Sequence, residues 1–202
     1  MPGLVHVVDD DASFRTAIER RLRHAGYQVE PHASAQHLLD CLSGSAETPA
    51  CILLDVQMPG LSGLELQNRL VELGTILPVV FVTGHSDIPT TVRAIKAGAE
   101  DFLTKPISSE LMIAAIERAL ARCSLARSQQ AELDAFLALV ATLTPRERQV
   151  FDLIVRGKIN KQIANELGTT ERTVKAHRHE VMEKLQAHSL AELVTRTVRM
   201  GH

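Results

Sequence analysis

The most constraining feature of the sequence is an alternation, over the first 120 residues, of short apolar runs with longer segments of helical spacing. Glycines follow three of the predicted helices, as is common at helix ends. The five runs predicted to be buried strands are Leu4–Val8, Tyr27–Val29, Cys51–Leu54, Pro78–Val82 and Asp101–Leu103. Repeated strand–helix units predict an α/β domain with a five-stranded, doubly wound parallel sheet, in which ligands bind beyond the carboxyl ends of the strands.

Charge divides the chain into two parts. Residues 1–122 carry 10 basic and 15 acidic side chains, whereas residues 142–202 carry 11 basic and 7 acidic ones. The sequence therefore predicts two domains with different partners, and the basic end favours a polyanion. No apolar stretch approaches the ~18 residues that a membrane span needs, so we expect a cytoplasmic protein that does not contact membranes. Three cysteines without a CxxC pair predict reduced, mostly packed thiols rather than disulfides or a zinc site.

The segment between the two parts is predicted to be helical. Residues 109–140 contain neither proline nor glycine, and their apolar residues recur at helical intervals around a polar middle. We expect a first domain at 1–122, a helical linker at 123–141 that is exposed or contacts a partner, and a second domain at 142–202. Thr144 as helix cap, Pro145 at the first helical position and Glu147 three residues after the cap mark where the second domain begins.

Acidic residues follow two of the predicted strands. Asp9, Asp10 and Asp11 end strand one and Asp55 ends strand three, and adjacent parallel strands bring these carboxylates to one edge. Like charges so close together favour a bound cation, and oxygen ligands favour Mg²⁺. We expect Asp10 and Asp55 to bind the ion directly and Asp9 to bind directly or through water. The backbone carbonyl of Gln57 is expected to fill another position, and Asp11 is expected to cap the following helix.

Two further loops at the same edge supply a hydroxyl group and a positive charge. Thr83 follows strand four, Lys105 follows strand five, and Pro106 fixes the turn that directs the lysine. A divalent cation, an ammonium group and a hydroxyl donor together stabilise the oxygens of a transferring phosphoryl group. The Asp55 carboxylate is then the candidate nucleophile, and the product is an acyl phosphate.

The basic end is predicted to contain a helix-turn-helix. Three helices are indicated at 146–156, 160–167 and 171–185, with Asn160 as the cap of the second and a turn at 168–170. Val174, Val181 and Leu185 share the core face of the third helix. Its other side is suited to the major groove of DNA, with bases or phosphates contacted by Arg172, Lys175, Ala176, Arg178 and His179. A merely solvated charged face is the other interpretation of this pattern.

Four motifs of the first domain resemble the receiver domain of two-component response regulators. They are Val7-Val8-Asp9-Asp10, Leu54-Asp55-Val56-Gln57-Met58-Pro59-Gly60, Thr83-Gly84 and Asp101-Phe102-Leu103-Thr104-Lys105-Pro106. The resemblance implies a flavodoxin-like receiver fold, with Asp55 as phosphoacceptor and Asp9 and Asp10 in a metal pocket. It further implies Thr83 as a switch hydroxyl, Phe102 as a switch aromatic, and Lys105 as a phosphate contact before a cis Pro106. Phe102 stands where many receivers have tyrosine, and it has no hydroxyl group to donate.

The second domain resembles the LuxR-type DNA-binding domain through Leu143-Thr144-Pro145-Arg146-Glu147-Arg148 and Glu171-Arg172-Thr173-Val174-Lys175-Ala176-His177-Arg178. Together with the receiver, the chain resembles the NarL/FixJ family, nearest to the FixJ, TodT and StyR branch because of residues 83–89. The resemblance adds Thr173 to the expected DNA contacts. It implies a transcriptional regulator with a sensor histidine kinase, promoter DNA and RNA polymerase as partners. Phosphorylation is expected to cause homodimerisation through Val92, Lys96 and Asp101.

Two other functions are compatible with parts of the pattern. An aspartyl-phosphate hydrolase usually has a second acid two residues beyond its nucleophile, where this chain has Gln57. A regulator that senses a diffusible apolar ligand needs an apolar pocket, and the acidic edge and the lack of tryptophan argue against one. We therefore expect a regulator and not an enzyme.

Overall fold

The computed structural model describes residues 3–42, 48–84 and 88–198. They divide into two compact units, with the boundary between Arg127 and Ser128. The five strands are β1 Leu4–Val8, β2 Gln28–His32, β3 Ala50–Asp55, β4 Val79–Thr83 and β5 Asp101–Thr104. The helices of the first unit are α1 Ala12–His24, α2 Ala35–Cys41, α3 Gly63–Glu72, α4 Ile88–Lys96 and the first part of α5, Ser109–Ala141. The second unit holds the rest of α5 with α6 Pro145–Val155, α7 Asn160–Glu166, α8 Glu171–Lys184 and α9 Leu190–Val198.

The five strands form one parallel sheet in the order β2-β1-β3-β4-β5. The order reverses between β1 and β3, which are adjacent, so the loops after them open at the switch point where doubly wound sheets bind ligands. The predicted fold class is confirmed. Strand β1 has the predicted ends, and the ends of the other four strands differ from the prediction by at most three residues, most of all in β2. That edge strand continues to His32, with Val29 and His32 buried and with Glu30 and Pro31 exposed between them.

Each face of the sheet is covered by a separate apolar cluster. Side chains alternate across a strand, so Val7 and Leu53 contribute to one cluster while Val8 and Leu54 contribute to the other. The first cluster includes α1 and the first turns of α5, and the second includes α2, α3 and α4. The strands are buried on both sides, which is why they appear in the sequence as nearly continuous apolar runs.

The second unit has its own apolar core. Phe136 and Val140 of the last turns of α5 are buried with Phe151 of α6 and Val174 of α8. The predicted core face of α8 is confirmed, because Val174, Val181 and Leu185 are fully buried. The predicted Thr144 cap is also present, with the reciprocal bond from the Thr144 amide to Glu147.

One predicted helix cap is wrong. Asn160 is the first residue of α7, and Ile159 occupies the cap position. The free amide of Ile159 instead donates to the side-chain oxygen of Gln162 at 3.0 Å. Helix α7 therefore begins without a side-chain cap, and Gln162 satisfies only the amide of Ile159. The short helix α9, whose Leu193 is buried in this core, was not predicted.

Candidate functional site

Three carboxylates meet at the carboxyl ends of β1 and β3. Asp9 is only 2% exposed and Asp55 8%, whereas Asp10 is exposed. One oxygen from each of the three lies within 4.8 Å of the others. Asp11 does not join them, because its side chain accepts hydrogen bonds from the amides of Ser13 and Phe14 at the start of α1. The structure therefore brings together Asp9, Asp10 and Asp55 and assigns Asp11 to the helix cap.

Lys105 places an ammonium group between two of these carboxylates. Its Nζ lies 2.7 Å from Oδ2 of Asp9 and 3.4 Å from Oδ2 of Asp55. The loop after β5 is held beside β4 because the Lys105 amide donates to the Thr83 carbonyl at 2.7 Å. The peptide bond between Lys105 and Pro106 is cis. The predicted meeting of the loops after β1, β3 and β5 is thus present in the structure.

Burial and neighbouring charges have opposing effects on the pKa values of Asp55 and Lys105. Burial raises the pKa of Asp55 above its usual value, the Lys105 charge opposes this, and the Asp9 carboxylate adds to it. Burial alone would lower the pKa of Lys105, but its hydrogen bond to Asp9 and the charge of Asp55 outweigh burial and raise it. Lys105 therefore stays protonated and stabilises the ionised form of Asp55.

The donor set fits a hard divalent cation. Three carboxylates and one ammonium leave an excess of negative charge at the pocket, and two of the carboxylates are buried. Oxygen donors of this kind, with room for water at the exposed Asp10, suit Mg²⁺. Gln57 lies beside them, with its amide 3.5 Å from Oδ1 of Asp55. Its backbone carbonyl stays a predicted ligand.

The other predicted switch residues lie on β4 and β5. Thr83 is buried at the end of β4, level with Thr104 of β5 in the strand register. Phe102 is half-buried, and its ring centroid is 6.0 Å from that of Phe81. Residues 85–87, part of the stretch after Thr83 that indicated the branch of the family, lie outside the described residues.

Two residues of α1 also contact this site, although no role was predicted for them. The Arg15 guanidinium donates to the Asp9 carbonyl at 2.6 Å, and the Lys105 Nζ lies 3.9 Å from the centroid of the Phe14 ring. A cation above an aromatic face gains electrostatic attraction. In the sequence, the feature that could have indicated both residues is their position in the first turn of α1, directly after the acidic cluster.

Helix α8 exposes most of the residues predicted to contact DNA. Arg172, Thr173, Lys175, Ala176 and His179 are exposed, whereas Arg178 is half-buried. The hydroxyl of Thr173 is paired with that of Thr170 at the helix cap. The early turns of α8 thus present cationic side chains and one small side chain on the surface opposite its buried face.

Helix α8 is fixed to α6 by an ion pair. The Lys184 Nζ lies 2.9 and 2.7 Å from the two carboxylate oxygens of Glu147, which also caps α6. The hydrogen bond from Lys184, together with the bond from the Thr144 amide, lowers the pKa of Glu147. One carboxylate therefore serves both a helix start and the anchoring of the helix predicted to contact DNA.

We expect Glu147→Gln to destabilise the second unit by about 1–2 kcal/mol at pH 7. Because the folded pKa of Glu147 is lowered, its contribution is present above the unfolded value and is lost as the pH falls through the folded value. The difference from wild type should therefore shrink in acid. Hydrogen exchange of the α6 and α8 amides in the full chain measures it.

Asp152→Asn is the matched control for this prediction. Asp152 lies in the same helix, and its ion pair with Arg148 is exposed on both sides. Exposed pairs contribute little, so exchange should change by less than about 0.5 kcal/mol. Equal effects of the two substitutions would contradict the special role of Glu147.

The predicted dimer face lies on α4 and β5. Val92 and Lys96 are exposed on α4, and the Asp101 carboxylate is paired with Arg118 of α5. Ile88 and Ile95 are also exposed and stand four residues before and three residues after Val92, so the three share one apolar stripe.

Comparisons with known proteins agree with this architecture. Residues 5–117 match the family described as the response regulator receiver domain, and residues 141–197 match the luxR family of bacterial regulatory proteins. The transcriptional regulatory protein FixJ of Bradyrhizobium diazoefficiens is 41% identical over 98% of this chain and 96% of its own length. The response regulator protein TodT of Pseudomonas putida is 41% identical over 98% of this chain and 86% of its own. The solved structure of the response regulator StyR has a TM-score of 0.80 and 44% identity, covering 98% of this chain and 100% of that one.

A receiver sheet with an acidic pocket, followed by a helix-turn-helix unit, defines the class of phosphorylation-controlled DNA-binding regulators. The chain belongs to the two-component response regulators with a LuxR-type DNA-binding domain, in the FixJ, TodT and StyR branch.

This family consists of transcriptional regulators and not of enzymes, which sets aside the hydrolase alternative. Its receivers generally bind Mg²⁺ in the acidic pocket. A receiver implies a sensor kinase partner, and a LuxR-type domain implies DNA binding. Among the described residues, no helix is both long and apolar enough to cross a membrane.

Proposed function

We propose that Asp55 accepts a phosphoryl group from a sensor histidine kinase or a small donor and that phosphorylation switches on promoter binding by a dimer. The observation that carries this proposal is the position of the Lys105 ammonium, 2.7 Å from Asp9 and 3.4 Å from Asp55 at the carboxyl edge of the sheet. A phosphoryl group on Asp55 would form beside this cation. The buried pocket also excludes much of the water that would compete for its oxygens.

The transfer uses the chain's own residues in defined roles. An oxygen of ionised Asp55 forms a bond to phosphorus while the bond from phosphorus to the donor breaks, and the leaving group keeps the electron pair. Lys105 then contacts a phosphoryl oxygen, and the Thr83 hydroxyl donates to another. Asp9, Asp10, Asp55 and the Gln57 carbonyl would hold Mg²⁺, which would neutralise charge at the phosphoryl oxygens.

The phosphoryl group is a local change of charge that shifts the balance between two surface states. As Thr83 moves towards it, Phe102 repacks from its present contact with Phe81, and the surface of α4 and β5 changes. We propose that two copies pair there through Val92, Lys96 and Asp101. The exposed apolar stripe on α4 supports this, because such a stripe gains from burial in an interface.

In the proposed dimer, two copies of α8 contact half-sites of double-stranded DNA about one helical turn apart or a multiple of it. Arg172, Thr173, Lys175, Ala176, Arg178 and His179 are the proposed contacts. We propose domain limits of 1–122, 123–141 and 142–202. The role as a transcriptional regulator supports action in the cytoplasm, with RNA polymerase as a further partner at the promoter.

The test is to incubate wild type and Asp55→Asn with acetyl phosphate and Mg²⁺ and to follow intact mass, sedimentation and DNA binding on the same samples. We expect one phosphoryl adduct, a dimer and tighter DNA binding in wild type only. Asp10→Asn should lose the thermal stabilisation by Mg²⁺. No adduct with any donor would mean that this receiver is controlled by partners instead. An adduct without dimerisation would contradict the α4–β5 pairing alone.

We expect Lys175→Ala to weaken DNA binding about fivefold to tenfold at physiological salt. If Lys175 contacts a phosphate, the slope of log affinity against log salt should fall by about one and all sequences should be affected alike. If it contacts a base edge, discrimination at one position of the site should relax instead. Arg148→Ala, which removes a partly exposed cation of α6 that pairs with Asp152, is the control, and an equal loss there would indicate that only net charge matters.

A further inference from the structure

A second cluster of metal-binding side chains lies on β1, β2 and α2, outside the acidic pocket. His6 of β1 and His32 of β2 approach each other, with Nδ1 of His6 3.1 Å from Nε2 of His32. The His37 ring of α2 lies against His32, with 5.1 Å between the centroids. Cys41 stands four residues after His37 on the same helix and therefore on the same face. One donor atom from each of His32, His37 and Cys41 lies within 4.8 Å of the others.

His32 is the member of this cluster whose hydrogen bonding is incomplete. The residue is 2% exposed, and its Nδ1 has no hydrogen-bond partner among the described residues. A buried polar atom left without a partner destabilises the folded state. Because Nε2 faces His6, Nδ1 is the ring nitrogen left to bind a ligand.

We propose that His32, His37 and Cys41 form a Zn²⁺ site in the receiver domain. Two imidazole nitrogens and a thiolate form a donor set that binds Zn²⁺ in preference to hard cations such as Mg²⁺. Tetrahedral coordination places such donors roughly 3.3–3.6 Å apart, so a small closure of the present arrangement completes it. His37 and Cys41 are exposed, so their side chains can adjust and the ion can enter from solvent, which also supplies the fourth ligand.

His6 supports this site without binding the ion. A group formed by His6, Glu30 and His32 is equally compact, but an ion there would have to break the contact between Nδ1 of His6 and Nε2 of His32. With the ion on Nδ1, His32 instead donates from Nε2 to His6, which is the outer bond that commonly orients metal-bound histidines. The Cys41 thiol releases its proton on binding, so affinity rises with pH.

The test is a calorimetric titration of the reduced full chain with Zn²⁺, with excess Mg²⁺ present to occupy the acidic pocket. We expect one equivalent to bind in wild type and His37→Gln/Cys41→Ser to bind at least tenfold more weakly. Titration with Co²⁺ should give a thiolate charge-transfer band that the double variant lacks. His24→Gln, which removes an exposed histidine of α1, is the matched control and should bind as wild type does.

A second readout follows the thiol itself. Cys41 is exposed, whereas Cys51 and Cys123 are buried, so an alkylating reagent should modify Cys41 first. Zn²⁺ should slow this reaction in wild type but not in His37→Gln, as measured by peptide mass. Unchanged alkylation of Cys41, or Zn²⁺ binding that survives the double variant and disappears in Asp10→Asn, would overturn the proposed site. Because both exchanged residues are exposed, circular dichroism should show an unchanged fold.

Discussion

Replacement of Lys105 by methionine should slow phosphorylation of Asp55 by acetyl phosphate about hundredfold. Methionine keeps much of the apolar stem beside Phe14 but removes the ammonium that contacts Asp9 and Asp55. Loss of one preorganised donor to a developing charge commonly costs about 10²–10³ in rate. The substitution also leaves the two buried carboxylates without their cation. The rate of adduct formation should therefore fall more steeply than in wild type as the Mg²⁺ concentration is lowered. The rate of adduct formation, followed by intact mass over a Mg²⁺ series, measures both effects.

Lys96→Met is the matched control for Lys105→Met. Lys96 is an exposed lysine at the end of α4, so its loss changes the net charge by the same amount without touching the pocket. Its adduct should form at the wild-type rate, whatever happens to dimerisation. A rate in Lys105→Met within threefold of wild type would mean that the ammonium only balances charge in the resting pocket and takes no part in transfer.

The acidic pocket could be predicted because topology alone determines where strand ends meet. Asp9 and Asp55 follow apolar runs that are buried on both faces, so their position at the edge depended only on β1 and β3 being neighbours. The position of Lys105 could be predicted in the same way, from the end of β5. The exposed face of α8 could likewise be predicted, because Val174, Val181 and Leu185 fix the orientation of that helix.

Other features depend on side-chain contacts that spacing does not specify. His32, His37 and Cys41 are five and four residues apart across a strand, a turn and a helix, and they meet only because α2 packs beside β2. The pairing of Lys184 with Glu147 joins residues 37 positions apart. Such contacts are set by how elements pack, and packing was not contained in the pattern of any single element.

Gly63 is a further residue of the pocket whose requirement only the structure explains. It is the buried first residue of α3, directly after the Ser62 cap. A Cβ atom at this position would stand 2.2 Å from the Asp55 carbonyl oxygen and 3.1 Å from the Phe81 ring. The first of these contacts is with backbone, which cannot rotate away, so the start of α3 and the end of β3 would have to separate.

We therefore expect Gly63→Ala to lower the free energy of unfolding of the receiver by about 3 kcal/mol, at the upper end of the usual cost of overpacking. Because the clash displaces the backbone that carries Asp55, the proposed phosphoacceptor, the remaining folded protein should also be phosphorylated at least tenfold more slowly. Urea denaturation and adduct formation measure the two effects. Gly84→Ala is the matched control, since a Cβ there has no neighbour within 4 Å among the described residues. Wild-type stability in Gly63→Ala would mean that α3 can move away from β3 without cost. The close packing of α3 against the Asp55 backbone would then not be what holds this residue in place.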